Sequence, residues 1–215
     1  MTIYISGDST AASYGLQQAP FTGWGQVLNE YLPLLSIVNA AYPGRSAKSF
    51  IAEGRLVNIE KTLAPGDLLL IQFAHNDASQ YVWRHTEPFV SYKNCLEIFI
   101  LTARAHGAVP VLITPIPIRT FKNGVLEESH VSYRAAALAL SKEAGVPLLD
   151  MYTQAYKQIS ELGDEKSREL YMNLKPGEYP NFPEGKVDDV HTQRAGACLF
   201  AQIAASGLKK LGLVK

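Results

Sequence analysis

Short apolar runs alternate with longer stretches of helical spacing along this chain, and that alternation limits the fold more than any other feature. The runs are TIYIS (Thr2 to Ser6), LSIVNA (Leu35 to Ala40), DLLLIQF (Asp67 to Phe73), VPVLITP (Val109 to Pro115) and VPLLD (Val146 to Asp150). Each is strand-sized and rich in Ile, Val and Leu. DLLLIQF is apolar on both faces except at Gln72, which is the pattern of a strand covered on both sides. Between the runs, Trp24, Val27, Leu28 and Tyr31 fall at helical spacing in GWGQVLNEYL (Gly23 to Leu32). Ala47 to Leu63 reads as a second helix closed by Pro65-Gly66, and Leu96, Phe99, Ile100 and Ala103 mark one face of a third, ending near Gly107. Val131 to Ala144 ends at Gly145, and Thr192 to Leu211 closes the chain with Thr192 near its amino cap. The fold class expected is therefore α/β: a single three-layer α/β/α domain over residues 1–215, with about five parallel strands and helices on both faces. Ligands of such sheets bind beyond the carboxyl ends of the strands.

Those ends carry the chain's most suggestive polar residues. The first run leads into Gly7-Asp8-Ser9-Thr10, the second into Asn39 and AAYPGRS with Gly44, and the third into Ala74-His75-Asn76-Asp77. Far downstream, DDVHT places Asp188 three residues before His191, just ahead of the last helix. A serine hydroxyl is a weak nucleophile at neutral pH and needs a base within hydrogen-bond reach. Neutral imidazole at His191 can take that proton and return it to a leaving alcohol, and Asp188 can accept the other ring N–H, fixing the tautomer. The backbone N–H groups of Ser9 and Gly44 and the side-chain amide of Asn76 are the candidate donors to a developing oxyanion. Taken singly, each motif has a plainer reading. Gly-Asp-Ser can be a turn or a helix cap, Gly44 a turn glycine, Asn76-Asp77 a loop, and Asp188 a capping carboxylate beside a surface His191. His75 can be a buried histidine satisfied by backbone.

Composition removes several classes of function. Lys+Arg and Asp+Glu are 20 each, so the formal net charge is zero and no general attraction to nucleic acid or anionic membrane is expected. No apolar run approaches the length of a membrane span, and MTIYISGDST lacks the features of a secretory signal, so a cytoplasmic location is the expectation. Cys95 and Cys198 lie in apolar, helical stretches and read as small buried apolar residues rather than as a disulfide. His75 and Asp77 have no third ligand at a suitable spacing, GDSTAASYG lacks the GxGxxG fingerprint, and no P-loop lysine follows the Gly7–Ser9 turn. No metal and no cofactor is expected.

The order of these motifs resembles that of the SGNH (GDSL-type) hydrolases over the whole chain. GDST resembles the first family block, NAAYPGRS the second, AHND the third and DDVH the last. The resemblance implies a flavodoxin-like SGNH hydrolase fold, a triad of Ser9, Asp188 and His191, and an oxyanion hole of Ser9, Gly44 and Asn76. The chain departs from the family pattern at Ala74, where glycine is usual, and at Pro43, where a second glycine often precedes Gly44. GWGQVL, GRSAKSF, EGRL, HNDAS and TEPFVSYKNCL together resemble the rhamnogalacturonan acetylesterase branch. That branch implies a serine esterase removing acetyl groups from pectin-derived oligosaccharides, with an acetylated oligosaccharide as partner. The alternatives are an esterase for another acetylated oligosaccharide or acyl ester or thioester, and a non-catalytic glycan-binding protein. Segments 80–89 and 165–187 hold Tyr81, Trp83, His85, Tyr171, Tyr179 and Phe182, which either offer flat faces to sugar rings or anchor long loops.

Overall fold

The computed structural model describes residues 1–215. Its strands are β1 (Thr2–Gly7), β2 (Ser36–Asn39), β3 (Leu68–Gln72), β4 (Val109–Ile113), β5 (Phe121–Lys122), β6 (Val125–Leu126) and β7 (Leu148–Leu149). Its α-helices are α1 (Trp24–Val27), α2 (Ala47–Ala52), α3 (Arg55–Glu60), α4 (Lys93–Ala105), α5 (Val131–Ala144), α6 (Met151–Ser167) and α7 (Arg194–Lys210). The main sheet has five strands in the order β2-β1-β3-β4-β7, all parallel, while β5 and β6 form a separate antiparallel hairpin. No helix is long and apolar enough to cross a membrane.

The strand period of two sorts the core into two clusters, one on each face of the sheet. Ile3, Ile5, Leu68, Leu70, Val111 and Ile113 join Trp24, Phe200 and Leu208 on the face covered by α1, α6 and α7. Tyr4, Leu69, Ile71 and Leu112 join Phe50, Leu96, Phe99 and Leu140 on the face covered by α2 to α5. Each buried Leu, Ile or Phe contributes roughly 1.5–3 kcal/mol of transfer free energy, so a register slip of one residue would exchange the whole set between faces. The central strand β3 is buried at every position. Gln72 is its only polar side chain. It is satisfied within the core: Trp24 Nε1 donates to its Oε1 at 2.7 Å, and its Nε2 donates to the Thr114 carbonyl at 3.2 Å.

From β1 the chain steps to β2 on one side and then crosses to β3 on the other. The strand order therefore reverses at the β1/β3 junction, which is where sheets of this order bind ligands. The loops leaving β1 and β3 open at that point.

Several expected elements are shorter or differently bounded. The expected helix over 47–63 is two helices, because Gly54 sits in the left-handed region (φ +71°) and breaks it into α2 and α3. The stretch from Gly23 to Leu32 is a single α turn followed by a 3₁₀ turn at Leu28–Glu30. The last helix starts at Arg194 with Gln193 at its cap, and Thr192, just before the cap as expected, donates its hydroxyl to the Thr22 carbonyl at 2.6 Å. Only Leu148 and Leu149 of VPLLD pair in the sheet. The α6 helix and the β5–β6 hairpin were not anticipated from the sequence pattern. Cys95 and Cys198 lie on α4 and α7, as expected, but are half-buried free thiols.

Candidate active site

Sheet geometry delivers the serine. After Gly7 the backbone leaves β1 in a turn closed by Asp8, whose Oδ1 accepts from Thr10 N at 2.9 Å and from Thr10 Oγ1 at 2.8 Å. This turn holds Ser9 at the floor of the opening, almost buried. Tyr14 supports it from outside, donating its hydroxyl to the Ser9 carbonyl at 2.7 Å. Burial is the largest influence on the Tyr14 phenol and, reinforced by the negative charge of Asp8, pushes its pKa up, so the group stays a neutral donor.

The histidine arrives from the other end of the chain. His191 Nε2 lies 3.0 Å from Ser9 Oγ, across 182 residues of sequence. Its Nδ1 lies 2.9 Å from Asp188 Oδ2. The other carboxylate oxygen, Oδ1, accepts from the backbone N–H of Val190 and of His191, both at 3.0 Å. Burial on its own would raise the Asp188 pKa, but these hydrogen bonds from His191 and Val190 outweigh it and hold the carboxyl well below the usual range. Asp188 is thus a fixed anion, and a carboxylate that only accepts requires the proton on His191 Nδ1. The facing Nε2 then carries the lone pair toward Ser9 Oγ, which is the arrangement of a general base. The edge of Phe21 packs against the imidazole with ring centroids 5.4 Å apart, and Phe182 in turn packs on Phe21.

The turn that carries Asp188 is itself anchored. Buried Arg119 pairs with Asp189 at 2.6 Å, and also with Asp164, and donates to Ser167 Oγ at 3.0 Å. Asn173 Nδ2 donates to the same Asp189 oxygen at 2.9 Å. Asp189, next to Asp188, therefore ties the turn to α6.

Three of the expected donors keep a free N–H. The N–H groups of Ser9 and Gly44 donate to no backbone carbonyl. Gly44 has φ +79°, and a Cβ built on it would meet no protein atom within 4 Å. Glycine is required there by the left-handed backbone, not by crowding from the protein. Asn76 Nδ2 donates one hydrogen to the Arg45 carbonyl at 3.1 Å, which leaves its second hydrogen, and its Oδ1 accepts from Arg84 Nη1 at 2.9 Å. Ala74, in place of the usual glycine, is fully buried, so the substitution is taken up by the core.

Behind this cleft lies a buried polar layer. Asp8 Oδ2 and His75 Nδ1 approach to 3.4 Å without hydrogen-bond geometry, and the His75 ring meets His130 edge-on at 4.4 Å between centroids. The side chain of His75, though not the whole residue, is buried at 7% exposure, as its plain reading held, but it faces a carboxylate and a second imidazole rather than backbone. Burial would raise the Asp8 carboxyl, yet the charge and contact of His75 and the Thr10 bonds hold it low. Burial pushes His130 down to about 3, so it is neutral at physiological pH. Asp77 accepts from Thr86 Oγ1 at 3.0 Å and from Ala47 N, and burial still pushes it up to about 7.

Of the sequence-predicted site residues, His191 is joined to Ser9 at 3.0 Å and to Asp188 at 2.9 Å, while Asn76 and Gly44 are joined to one another through Arg84, at 2.9 and 3.4 Å. The aromatics divide. Tyr81 and Trp83 are exposed, while Tyr171 is completely buried and donates to the Pro117 carbonyl at 3.0 Å, so that residue anchors its segment and offers no face to a ligand. Segment 165–187 also starts inside α6 and not in a loop. Sequence reasoning missed Tyr14, Arg84 and Arg119; each is a lone side chain in a loop, and only the aromatic-rich surroundings of Arg84 hinted at a role. Lys186 was missed as well, with its ammonium 3.6 Å from Asp188 Oδ2 and above the Phe21 and Phe182 rings.

Comparison with known proteins identifies the family of the chain. Residues 5–196 match the GDSL-like Lipase/Acylhydrolase family. The chain is 38% identical over 213 residues to the rhamnogalacturonan acetylesterase RhgT of Bacillus subtilis, covering 98% of this chain and 90% of that protein. It is also 38% identical to the probable rhamnogalacturonan acetylesterase YesY of the same organism, covering 98% and 94% of the two chains. The crystal structure of Bacillus subtilis YxiM superposes with a TM-score of 0.83 at 31% identity, covering 98% of this chain but 56% of that one, so this chain spans about half of that protein.

Proposed function

Since the chain belongs to the GDSL-like lipase/acylhydrolase family, we propose that it is a serine carbohydrate esterase that removes acetyl groups from pectin-derived rhamnogalacturonan oligosaccharides. It is a carboxylic ester hydrolase by its likeness to esterases along the whole chain. The observation that carries the reading of its site is the continuous line Ser9 Oγ, His191 Nε2, His191 Nδ1, Asp188 Oδ2, with links of 3.0 and 2.9 Å. The names of the two Bacillus relatives support the choice of substrate, and exposed Tyr81 and Trp83, within three residues of the Arg84 that touches Asn76, supply flat apolar faces of the kind sugar rings stack on.

In this mechanism Ser9 Oγ attacks the acetyl carbonyl carbon as its proton passes to His191 Nε2. The carbonyl oxygen becomes an oxyanion held by the N–H groups of Ser9 and Gly44 and by the Asn76 amide. The bond from the acetyl carbon to the sugar oxygen then breaks, and the sugar oxygen takes the proton from His191. Water next gives a proton to the same Nε2 and attacks the acetyl-serine carbon, and acetate leaves as Ser9 Oγ recovers its hydrogen. Asp188 remains ionised throughout and stabilises the imidazolium. No step calls for a metal or cofactor. We place the reaction in the cytoplasm, on oligosaccharides taken up by the cell; the two free cysteines are compatible with that reading.

The test is acetate release from acetylated rhamnogalacturonan oligosaccharides, set beside acetylated xylo-oligosaccharides and aryl esters of rising acyl length. The proposal expects acetyl esters over longer acyl chains, the rhamnogalacturonan series over the xylan series, and no release by Ser9→Ala. A preference for long acyl chains would overturn the sugar reading, and full activity of Ser9→Ala would overturn the mechanism.

A further inference from the structure

The Asn76 amide is useful as an oxyanion donor only if its NH₂ end, and not its oxygen, faces the cleft. Its two neighbours decide this. Arg84 Nη1, 2.9 Å from Asn76 Oδ1, can only donate. The Arg45 carbonyl, 3.1 Å from Asn76 Nδ2, can only accept. Rotating the amide by half a turn would set N–H against guanidinium N–H and oxygen against oxygen, losing both hydrogen bonds and replacing them with repulsion. The guanidinium that enforces this is itself fixed. Its Nε donates to Ser79 Oγ at 2.9 Å, its Nη1 also reaches the Gly44 carbonyl at 3.4 Å, and the Tyr81 and Trp83 rings lie 5.0 and 5.3 Å from its carbon. One side chain thus touches two of the three proposed oxyanion-donor residues, Asn76 by its amide oxygen and Gly44 by its carbonyl.

We propose that Arg84 is a positioning residue of the ester hydrolysis: it locks the Asn76 amide with its free N–H toward the oxyanion and, as a cation on the amide oxygen, makes that N–H a stronger donor. The inference rests on the reading of Asn76 as an oxyanion donor. A charge-assisted hydrogen bond to the amide oxygen draws electron density from nitrogen and strengthens the remaining N–H in the same direction as the charge that develops in the transition state. Its effect therefore belongs to the chemical step and not to substrate binding.

The experiment uses 4-nitrophenyl acetate, a neutral ester without a sugar, on the full chain. Arg84→Met should lower kcat by about 10-fold with KM within about twofold, a smaller loss than the roughly 10²–10³-fold cost of deleting a whole oxyanion donor by Asn76→Ala. Arg84→Lys, which keeps a cation but can reach only one partner at a time, should recover part of kcat. In the Asn76→Ala background, Arg84→Met should cost little more, because the group it acts through is gone. An equal fold-loss in both backgrounds, a change confined to KM, or a loss seen with acetylated sugars but not with 4-nitrophenyl acetate would each overturn the inference. Should Arg84→Met not fold, the Arg84→Lys pair of measurements, with and without Asn76→Ala, makes the same discrimination. Full activity of Asn76→Ala would refute the oxyanion reading on which the inference stands, whereas a strong loss there with no effect of Arg84→Met refutes the inference alone.

Discussion

Asp188→Asn is nearly isosteric and probes the proposed triad at its most geometrically determined point. Asp188 Oδ1 accepts two backbone N–H groups, from Val190 and His191, both at 3.0 Å. An asparagine at this position keeps its single oxygen there, since the alternative would set NH₂ against two N–H donors. Its NH₂ is then forced to face His191 Nδ1, which lies 2.9 Å from the present Oδ2. His191 must answer with a lone pair at Nδ1, so the ring proton moves to Nε2 and points at Ser9 Oγ, now 3.0 Å from a donor instead of a base. The wrong tautomer costs about 10⁴-fold in kcat in a serine protease triad of the same design, or about 5.4 kcal/mol at 1.36 kcal/mol per decade. Removing the base itself by His191→Ala should cost more, on the order of 10⁶-fold. The assay is kcat and kcat/KM on 4-nitrophenyl acetate across pH, with Asp188→Ala as the comparison. If the carboxylate acted by charge alone, Asn, which preserves the packing, would surpass Ala. If it fixes the tautomer, Asn gains nothing over Ala despite the better fit. An Asp188→Asn variant with more than about a tenth of wild-type kcat would refute the tautomer argument.

Two further outcomes follow from the core and the buried carboxylates. Gln72→Leu strands the buried Trp24 indole N–H, which now donates at 2.7 Å, and should cost about 1–3 kcal/mol, or a Tm drop of about 5 °C, with partial recovery in Gln72→Leu/Trp24→Phe; an unchanged Tm would contradict the network. Asp77, pushed up to about 7 by burial from an ordinary value of 3.8, binds more protons when folded than when unfolded, so it makes stability fall as pH rises from about 4 to about 7. Asp8 and Asp188 are held low, and so titrate below this window. The difference between wild type and Asp77→Asn in denaturant midpoint should therefore shift in the variant's favour across that range, and a difference that is flat with pH would contradict the assignment.

How far the sequence reveals these features depends on how local their causes are. The strands were legible because Ile3, Ile5, Leu68 to Ile71 and Val111 to Ile113 are apolar whatever packs on them, and a strand covered on both faces needs that. The Asp188–His191 pair was legible because a spacing of three residues suffices to bring the side chains together. Ser9 joined them through the rule that parallel sheets present their ligands at the carboxyl ends, which needs topology but no atomic detail. Gly54 is an ordinary residue in a helical window, and only its left-handed φ shows that the window holds two helices. The α6 helix buries Met151, Tyr152, Ala155 and Ile159, but its other face is polar, and its N-cap Asp150, which accepts from the Thr153 N–H, reads in sequence as the end of the VPLLD strand. Arg119 could not be found by pattern, since its partners Asp164 and Asp189 lie on distant segments, whereas Arg84 lies near its partners Ser79 and Asn76 in sequence but in an irregular loop with no periodicity to reveal the contact. Tyr171 illustrates the same limit in reverse, because an aromatic in a loop reads alike whether it faces solvent or, as here, fills the core under α7.

The central claim is that one oxygen, Ser9 Oγ, is made nucleophilic by His191. Labelling with a serine-directed fluorophosphonate, followed by peptide mass spectrometry and a parallel assay of acetate release, tests it most directly. A single adduct on Ser9 is expected, with activity lost in proportion to labelling and labelling slowed strongly in His191→Ala. An adduct on a different residue, or an enzyme that continues to release acetate with Ser9 fully modified, would contradict it.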